Sequence, residues 1–337
     1  MSGGTVISGI GLVSALGNDA GAVGDKLLSG EAGGRTDGAV PFTLAMPSSK
    51  LRGVSRYSKL ALCATLSAQA DAGIDIDAER ASRYGTIYTT GYGAMAANVE
   101  FGKSVAARDP DLCSPMLFAE TVPNCCVGQV CMRMKLKGPS TVMVGGNALF
   151  YSKRLIESGR ADVVFAGAVE EYSEHLFGSL RNNEYAKDID VREATVVFVL
   201  EKDSARKAPY CGIGNSASGG LSGYPLIKGV DGEKSRMIIA RAVKKCAGDK
   251  EICAVYTSAN SGYFDEMEES VIAENFPGAD IVRNVKALFG ETMGASFNVN
   301  VAAAALSFNS TARKNVLVTG YDPIGNYHCI ILERRGD

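Results

Sequence analysis

The sequence predicts an α/β protein built of two similar halves, residues 1–208 and 209–337, from two observations. Short β-branched runs that end at glycine alternate with Ala- and Leu-rich stretches along the chain. Three of these strand-and-glycine units also recur in order: residues 5–11 are echoed by 210–216, residues 85–91 by 254–260, and residues 161–167 by 314–320. Three echoes in register point to duplication. The stretches between them read as helices: residues 58–72 are rich in Ala and Leu, 148–158 are amphipathic, and 299–308 are almost wholly apolar. Strands and helices alternating twice over predict five layers, αβαβα, with apolar helices sandwiched between two sheets. On composition alone a doubly wound single-sheet fold is equally acceptable; the duplication favours the layered one.

Composition bounds the function classes. At 337 residues, 46% hydrophobic and 21% charged, the chain reads as a compact soluble protein with a large core. A formal charge of -2 without runs of like charge gives no footprint for nucleic acid or a membrane surface. No apolar run reaches the ~18 residues of a membrane helix. Residues 1–7 show no basic segment followed by an apolar core, so a cytoplasmic location is expected. Nine cysteines form no CxxC pair and only two histidines, His175 and His328, are present, so no metal site is expected. The cysteines read as small buried hydrophobes in a reducing compartment.

Several ordered motifs carry a family resemblance. The stretch Lys137-Gly138-Pro139-Ser140-Thr141-Val142-Met143-Val144-Gly145-Gly146-Asn147-Ala148 closely resembles the strand-to-helix elbow of β-ketoacyl-(acyl carrier protein) synthases. Residues 7–18 resemble the opening strand and loop of that family, and residues 56–62 with Asp71-Ala72-Gly73-Ile74 its first long helix and glycine stop. Residues 114–124, then Gly128-Gln129 and residues 136–139, resemble the passage through the acyl tunnel into the dimer strand. Each is weak alone; the ordered set covers nearly the whole chain. The resemblance implies a thiolase-like five-layer fold, and with the duplication it decides between the two architectures.

An active member needs a cysteine at a helix N-terminus, where the dipole favours thiolate, and two histidines for decarboxylation. Asn147 stands at the cysteine position, and an amide cannot attack a thioester. Residues 258–262 align with the first histidine motif and put Asn260 at its histidine. Residues 286–295 align with the second and put Glu291 there, with Lys286 at its start. His175 and His328 fall outside both motifs and read as structural. Pro323 aligns with the phenylalanine whose N–H completes the oxyanion hole, and proline has no N–H. Removing one such donor typically costs ~10²–10³ in rate. Asn147 instead reads as a cap for the helix that follows, and Lys286–Glu291 as a buried ion pair in the vacated space.

These vestigial positions imply a chain length factor, the non-catalytic partner of an active ketosynthase in type II polyketide or aryl polyene systems. The resemblance then implies a heterodimer, an acyl carrier protein bearing a phosphopantetheine-linked acyl chain, and no cofactor. Residues 138–143, with Thr141 and Met143, form the strand expected to pair antiparallel with the partner's. Phe118, Thr121, Val122 and Asn124 are expected near the acyl tunnel and interface, with Phe118 and Val122 as gates on chain length. The chain is short for the family, mostly between Glu171 and Ala208, where Arg192 and Ala194 replace two motif glycines. The alternative is a divergent acyl-thioester hydrolase or acyltransferase using Glu291 as general base.

Overall fold

The computed structural model describes residues 4–33, 38–107, 113–203, 209–258 and 263–335. The first half runs β1 (Thr5–Val13), α1 (Ala20–Ser29), α2 (Arg56–Ala72), β2 (Tyr84–Thr90), α3 (Met95–Ala107), α4 (Pro115–Ala119) and α5 (Cys125–Met134). It continues through β3 (Ser140–Val144), α6 (Ala148–Glu157), β4 (Val163–Glu170), α7 (Glu174–Leu180) and β5 (Ala194–Lys202). The second half runs β6 (Cys211–Gly220), α8 (Gly232–Ala247), β7 (Ala254–Tyr256), α9 (Tyr263–Asn275) and β8 (Asp280–Val282). It closes with α10 (Val285–Phe289), α11 (Ser296–Ser307), β9 (Asn315–Tyr321) and β10 (Asn326–Glu333).

The strand order, β3-β2-β4-β5-β1-β6-β10-β9-β7-β8, reads the same outward from its centre if β6 to β10 are matched to β1 to β5. The three sequence echoes fall on β1 and β6, β2 and β7, and β4 and β9. In place of two separate sheets, the strands form one hydrogen-bonded sheet, joined where Val6 pairs with Gly212 and Ile7 with Cys211. Two residue pairs are a narrow join, so strand twist lets the halves diverge and face each other across helices.

Side-chain alternation along β4 shows the layering. Val164, Ala166 and Ala168 join a core shared with α6, α11 and the inner faces of β6, β9 and β10. Val163, Phe165 and Val169 point the other way, into a core with α2 and α5. A third core packs α8 and α9 against the outer face of the second half. The helical layers therefore lie outside, between and outside the two half-sheets, as the five-layer reading predicts. In α11 residues 296–306 are all buried, which explains an apolar sequence without helical periodicity.

Glycine placement fixes the α2 layer. A Cβ at Gly9 or Gly11 would collide with the backbone of Ala68 or Ala64, so α2 crosses β1 in direct backbone contact. Ser55 caps this helix by accepting the Ser58 N–H at 3.2 Å, and Gly73 ends it at φ 63°.

Candidate functional site

The elbow between β3 and α6 turns on two glycines with positive φ, Gly145 at 71° and Gly146 at 94°. Asn147 follows in extended conformation and its Oδ1 accepts the Phe150 N–H at 3.0 Å, the cap predicted from sequence. It is buried, and its Nδ2 has no protein partner among the described residues.

The hairpin turn between β9 and β10 closes over this elbow. Asp322 Oδ2 accepts the Gly146 N–H at 2.8 Å, the Asn326 Nδ2 at 2.9 Å and approaches His328 Nε2 at 3.0 Å. Its Oδ1 accepts the Ile324 N–H at 3.1 Å and the Asn326 N–H at 2.9 Å. Burial opposes the charge, but the His328 contact and the Asn326 donors outweigh it and hold Asp322 below its ordinary pKa. A fixed carboxylate thus stands at the positive end of α6, where an acyl-transfer site would need room for an oxyanion. Pro323 lies in this turn; a Cβ on Gly91 would stand 2.6 Å from its Cγ.

A second cluster fills the space behind. Lys286 Nζ is 2.8 Å from Glu291 Oε2, with both side chains buried, and sits 5.0 Å above the Tyr321 ring. Glu291 Oε1 accepts the Met293 N–H at 2.6 Å and the Ser296 hydroxyl. The backbone of Glu291 also pairs with the shortened segment, bonding Asp190 O at 2.8 Å and the Arg192 N–H at 2.9 Å. Asn260, expected beside this pair, lies outside the described residues.

Glu170, at the end of β4, links the two clusters and was not visible as a site residue in the sequence. Fully buried, it accepts the N–H groups of Gly91 at 2.6 Å, Tyr92 at 3.1 Å and Gly294 at 3.0 Å. Burial pushes its pKa up to about 8 even though those donors favour the charged form. Gly145 N–H in turn bonds Thr90 O at 2.8 Å, so the elbow, the end of β2 and the Gly294 turn form one continuous floor.

The tunnel and interface candidates lie on α4, on the turn after it and on β3, where Met143 reaches back toward the elbow. Phe118 on α4 is 58% exposed and packs its ring 5.3 Å from Phe101. Val122 and Asn124 are exposed, while Thr121 is buried and its Oγ1 donates to Phe118 O at 2.8 Å. Beside α4, Ser55, Arg56, Ala97, Met116 and Leu117 line a cavity of ≈ 450 Å³. Thr141 and Met143 lie on β3, whose one pairing among the described residues is with β2. Its outer edge carries no charged residue, the kind of edge that a second strand covers.

Burial raises the pKa of Cys63 and Cys131, pushes Cys125 up to about 11 and Cys246 up to about 12, and raises Cys126, Cys211 and Cys329 further. No His, Cys, Asp and Glu cluster among the described residues can hold a metal ion. No helix among them is long and apolar enough to cross a membrane.

Residues 32–186 match the family model of the β-ketoacyl synthase N-terminal domain. A 3-oxoacyl-[acyl-carrier-protein] synthase 2 of Staphylococcus aureus is 25% identical over 193 residues, covering 51% of this chain and 48% of that protein. The chain thus spans about half the length of such relatives, although the synthase 2 of Vibrio cholerae is 23% identical over 90% of this chain and 85% of its own. The solved structure described as the ishigamide ketosynthase/chain length factor superposes with a TM-score of 0.83 at 20% identity, covering 99% of this chain and 100% of that one. With this fold, this elbow and these relatives, the chain is similar to the β-ketoacyl synthases and shares the fold of the solved ketosynthase structures.

Proposed function

We propose that the chain is a non-condensing ketosynthase-like subunit, a chain length factor that pairs with an active β-ketoacyl synthase and shapes its acyl tunnel. The observation that carries this reading is the elbow: Asn147 is spent on capping α6, and Asp322 holds a negative charge on the adjacent Gly146 N–H. An amide at the nucleophile position and a carboxylate crowding the N-terminus of α6 both support a non-condensing role. The uncharged β3 edge, with Thr141 and Met143, supports strand pairing with a partner ketosynthase. Exposed Phe118 and Val122, with Thr121 and Asn124 beside them, are assigned to the tunnel and interface. The substrate is an acyl chain on the phosphopantetheine of an acyl carrier protein, in type II polyketide or polyene elongation in the cytoplasm.

The general-base alternative has less support, because Glu291 is 3% exposed and both of its oxygens already hold partners. Co-expression with ketosynthases that retain Cys and both His residues tests the proposal. A stable 1:1 complex is expected, with product length shifted by Phe118→Ala. Condensation by the purified chain alone, or failure to complex with every such ketosynthase, overturns it.

A further inference from the structure

β6, β10 and the turn between β9 and β10 bring together three side chains that tunnel shaping does not use. Ser218 stands opposite His328 in the antiparallel pair. Leu221 donates its N–H to Gly325 O at 2.6 Å, and bonded positions alternate along such a ladder. Positions 219 and 217 therefore bond toward β10, and Ser218 and His328 form a non-hydrogen-bonded pair, whose side chains lie closer together. Ser218 Oγ is 2.9 Å from His328 Nδ1, and His328 Nε2 is 3.0 Å from Asp322 Oδ2.

The protonation pattern follows from the partners. An ionised Asp322 only accepts, so Nε2 donates to it, and in the tautomer with its one proton on Nε2 the Nδ1 atom accepts from the Ser218 hydroxyl. His328 is 2% exposed and packs 5.6 Å from the Phe297 ring, whereas Ser218 is open to solvent. A surface hydroxyl backed by an oriented imidazole and a buried carboxylate is the arrangement that activates a serine.

The strand also supplies an oxyanion donor. As a non-bonded position, Ser218 points its backbone N–H away from β10, and β1 pairs with β6 at Cys211 and Gly212, well short of it. In acyl transfer the nucleophile's own N–H is well placed to meet the oxyanion. Two residues back on the same face, Ser216 lines a groove of ≈ 400 Å³ with Phe150, Lys153, Arg154, Glu157 and Lys245, which Ser218 itself does not line; Glu157 lies 3.7 Å from Lys153 and 3.8 Å from Arg154. Phe150 offers the groove an apolar face and Lys245 a cation beside the Glu157 pairs, which suits a short acyl chain on a polar thiol.

We propose that Ser218 is a nucleophile toward acyl thioesters and esters, with His328 as its base and Asp322 as the positioning residue. Ser218 Oγ attacks the carbonyl carbon as its proton passes to His328 Nδ1. The C–S bond then breaks and the thiol leaves with that proton. Water attacks the acyl-serine by the same route, releasing a carboxylic acid and restoring the hydroxyl, so one thioester and one water give one acid and one thiol. This hydrolysis is independent of condensation and of any ketosynthase partner.

The test uses the purified full chain with a fluorophosphonate probe and with a short acyl thioester of N-acetylcysteamine. A single adduct mapped to Ser218 is expected, together with thioester hydrolysis that Ser218→Ala abolishes; this surface substitution leaves the fold intact. His328→Gln should slow labelling at least tenfold, with a melting scan confirming that it folds; unchanged labelling in a folded His328→Gln chain overturns the assignment. No adduct, an adduct elsewhere, or hydrolysis that persists in Ser218→Ala also overturns it.

Discussion

Asn147→Cys returns a thiol to the elbow, and the surrounding geometry sets how little that restores. Asn147 caps α6 through the 3.0 Å bond from Phe150 N–H, and loss of such a cap costs about 1 kcal/mol, so the variant folds with a slightly lower Tm. At the N-terminus of a ten-residue helix the thiol is drawn toward thiolate. Asp322, however, holds its carboxylate 2.8 Å from the Gly146 nitrogen, at the residue that precedes the introduced thiol. Two unit charges roughly 4 Å apart repel by about 4 kcal/mol at an effective dielectric near ~20, about a thousandfold in rate. Pro323 offers no N–H, which removes a further ~10²–10³ and brings the deficit to about 10⁵–10⁶. The assay incubates the variant with acyl- and malonyl-carrier thioesters, reading acylation by intact mass and condensation by chromatography. Condensation no faster than in the parent chain is expected; turnover within a hundredfold of an intact ketosynthase refutes the reasoning.

The remaining predictions concern the buried charges and the open edge. Lys286→Met strands Glu291 in the core and should destabilise by about 3 kcal/mol, with Lys286→Met/Glu291→Gln recovering most of it in denaturant titrations. Burial pushes Glu170 up to about 8 and Glu171 up to about 7, so the folded chain binds protons that the unfolded chain releases near 4.5. Stability from these groups is then full below pH 4.5 and is lost as pH rises through 7 and 8; melting scans should show Glu170→Gln flattening that decline. Val144→Lys places a charge on the 49% exposed end of β3 and should abolish the proposed heterodimer by light scattering while leaving the monomer's Tm within a few degrees.

The fold was legible where strands end in glycine. β1, β2 and β4 and their counterparts β6, β7 and β9 are β-branched runs closed by turns, so each echo reads directly from sequence. The β5 and β10 pair escaped the comparison because residues 194–202 and 326–333 share hydrophobicity without a shared punctuating glycine. The join between β1 and β6 escaped it for a different reason: two residue pairs of backbone hydrogen bonding leave no side-chain pattern. The helix caps of α2 and α6 were readable because Ser55 and Asn147 precede apolar helical stretches.

The candidate site was legible at positions where a motif supplies an expectation, and opaque where a new side chain enters from another element. Asn147, Lys286, Glu291 and Pro323 stand where motif residues are missed, so substitution itself is the signal. Asp322 and His328 replace nothing catalytic and sit either side of a turn, so their contact emerges only when β9 folds back on β10. That contact changes the meaning of the losses. A vacated nucleophile site with an empty oxyanion hole is one or two substitutions from working; an elbow whose Gly146 N–H already binds an ionised, five-coordinated carboxylate is not. On the proposed reading, reversal would have to dismantle the β9–β10 turn that Asp322 organises, so a non-condensing role would rest on the fold of the second half as well as on residue 147.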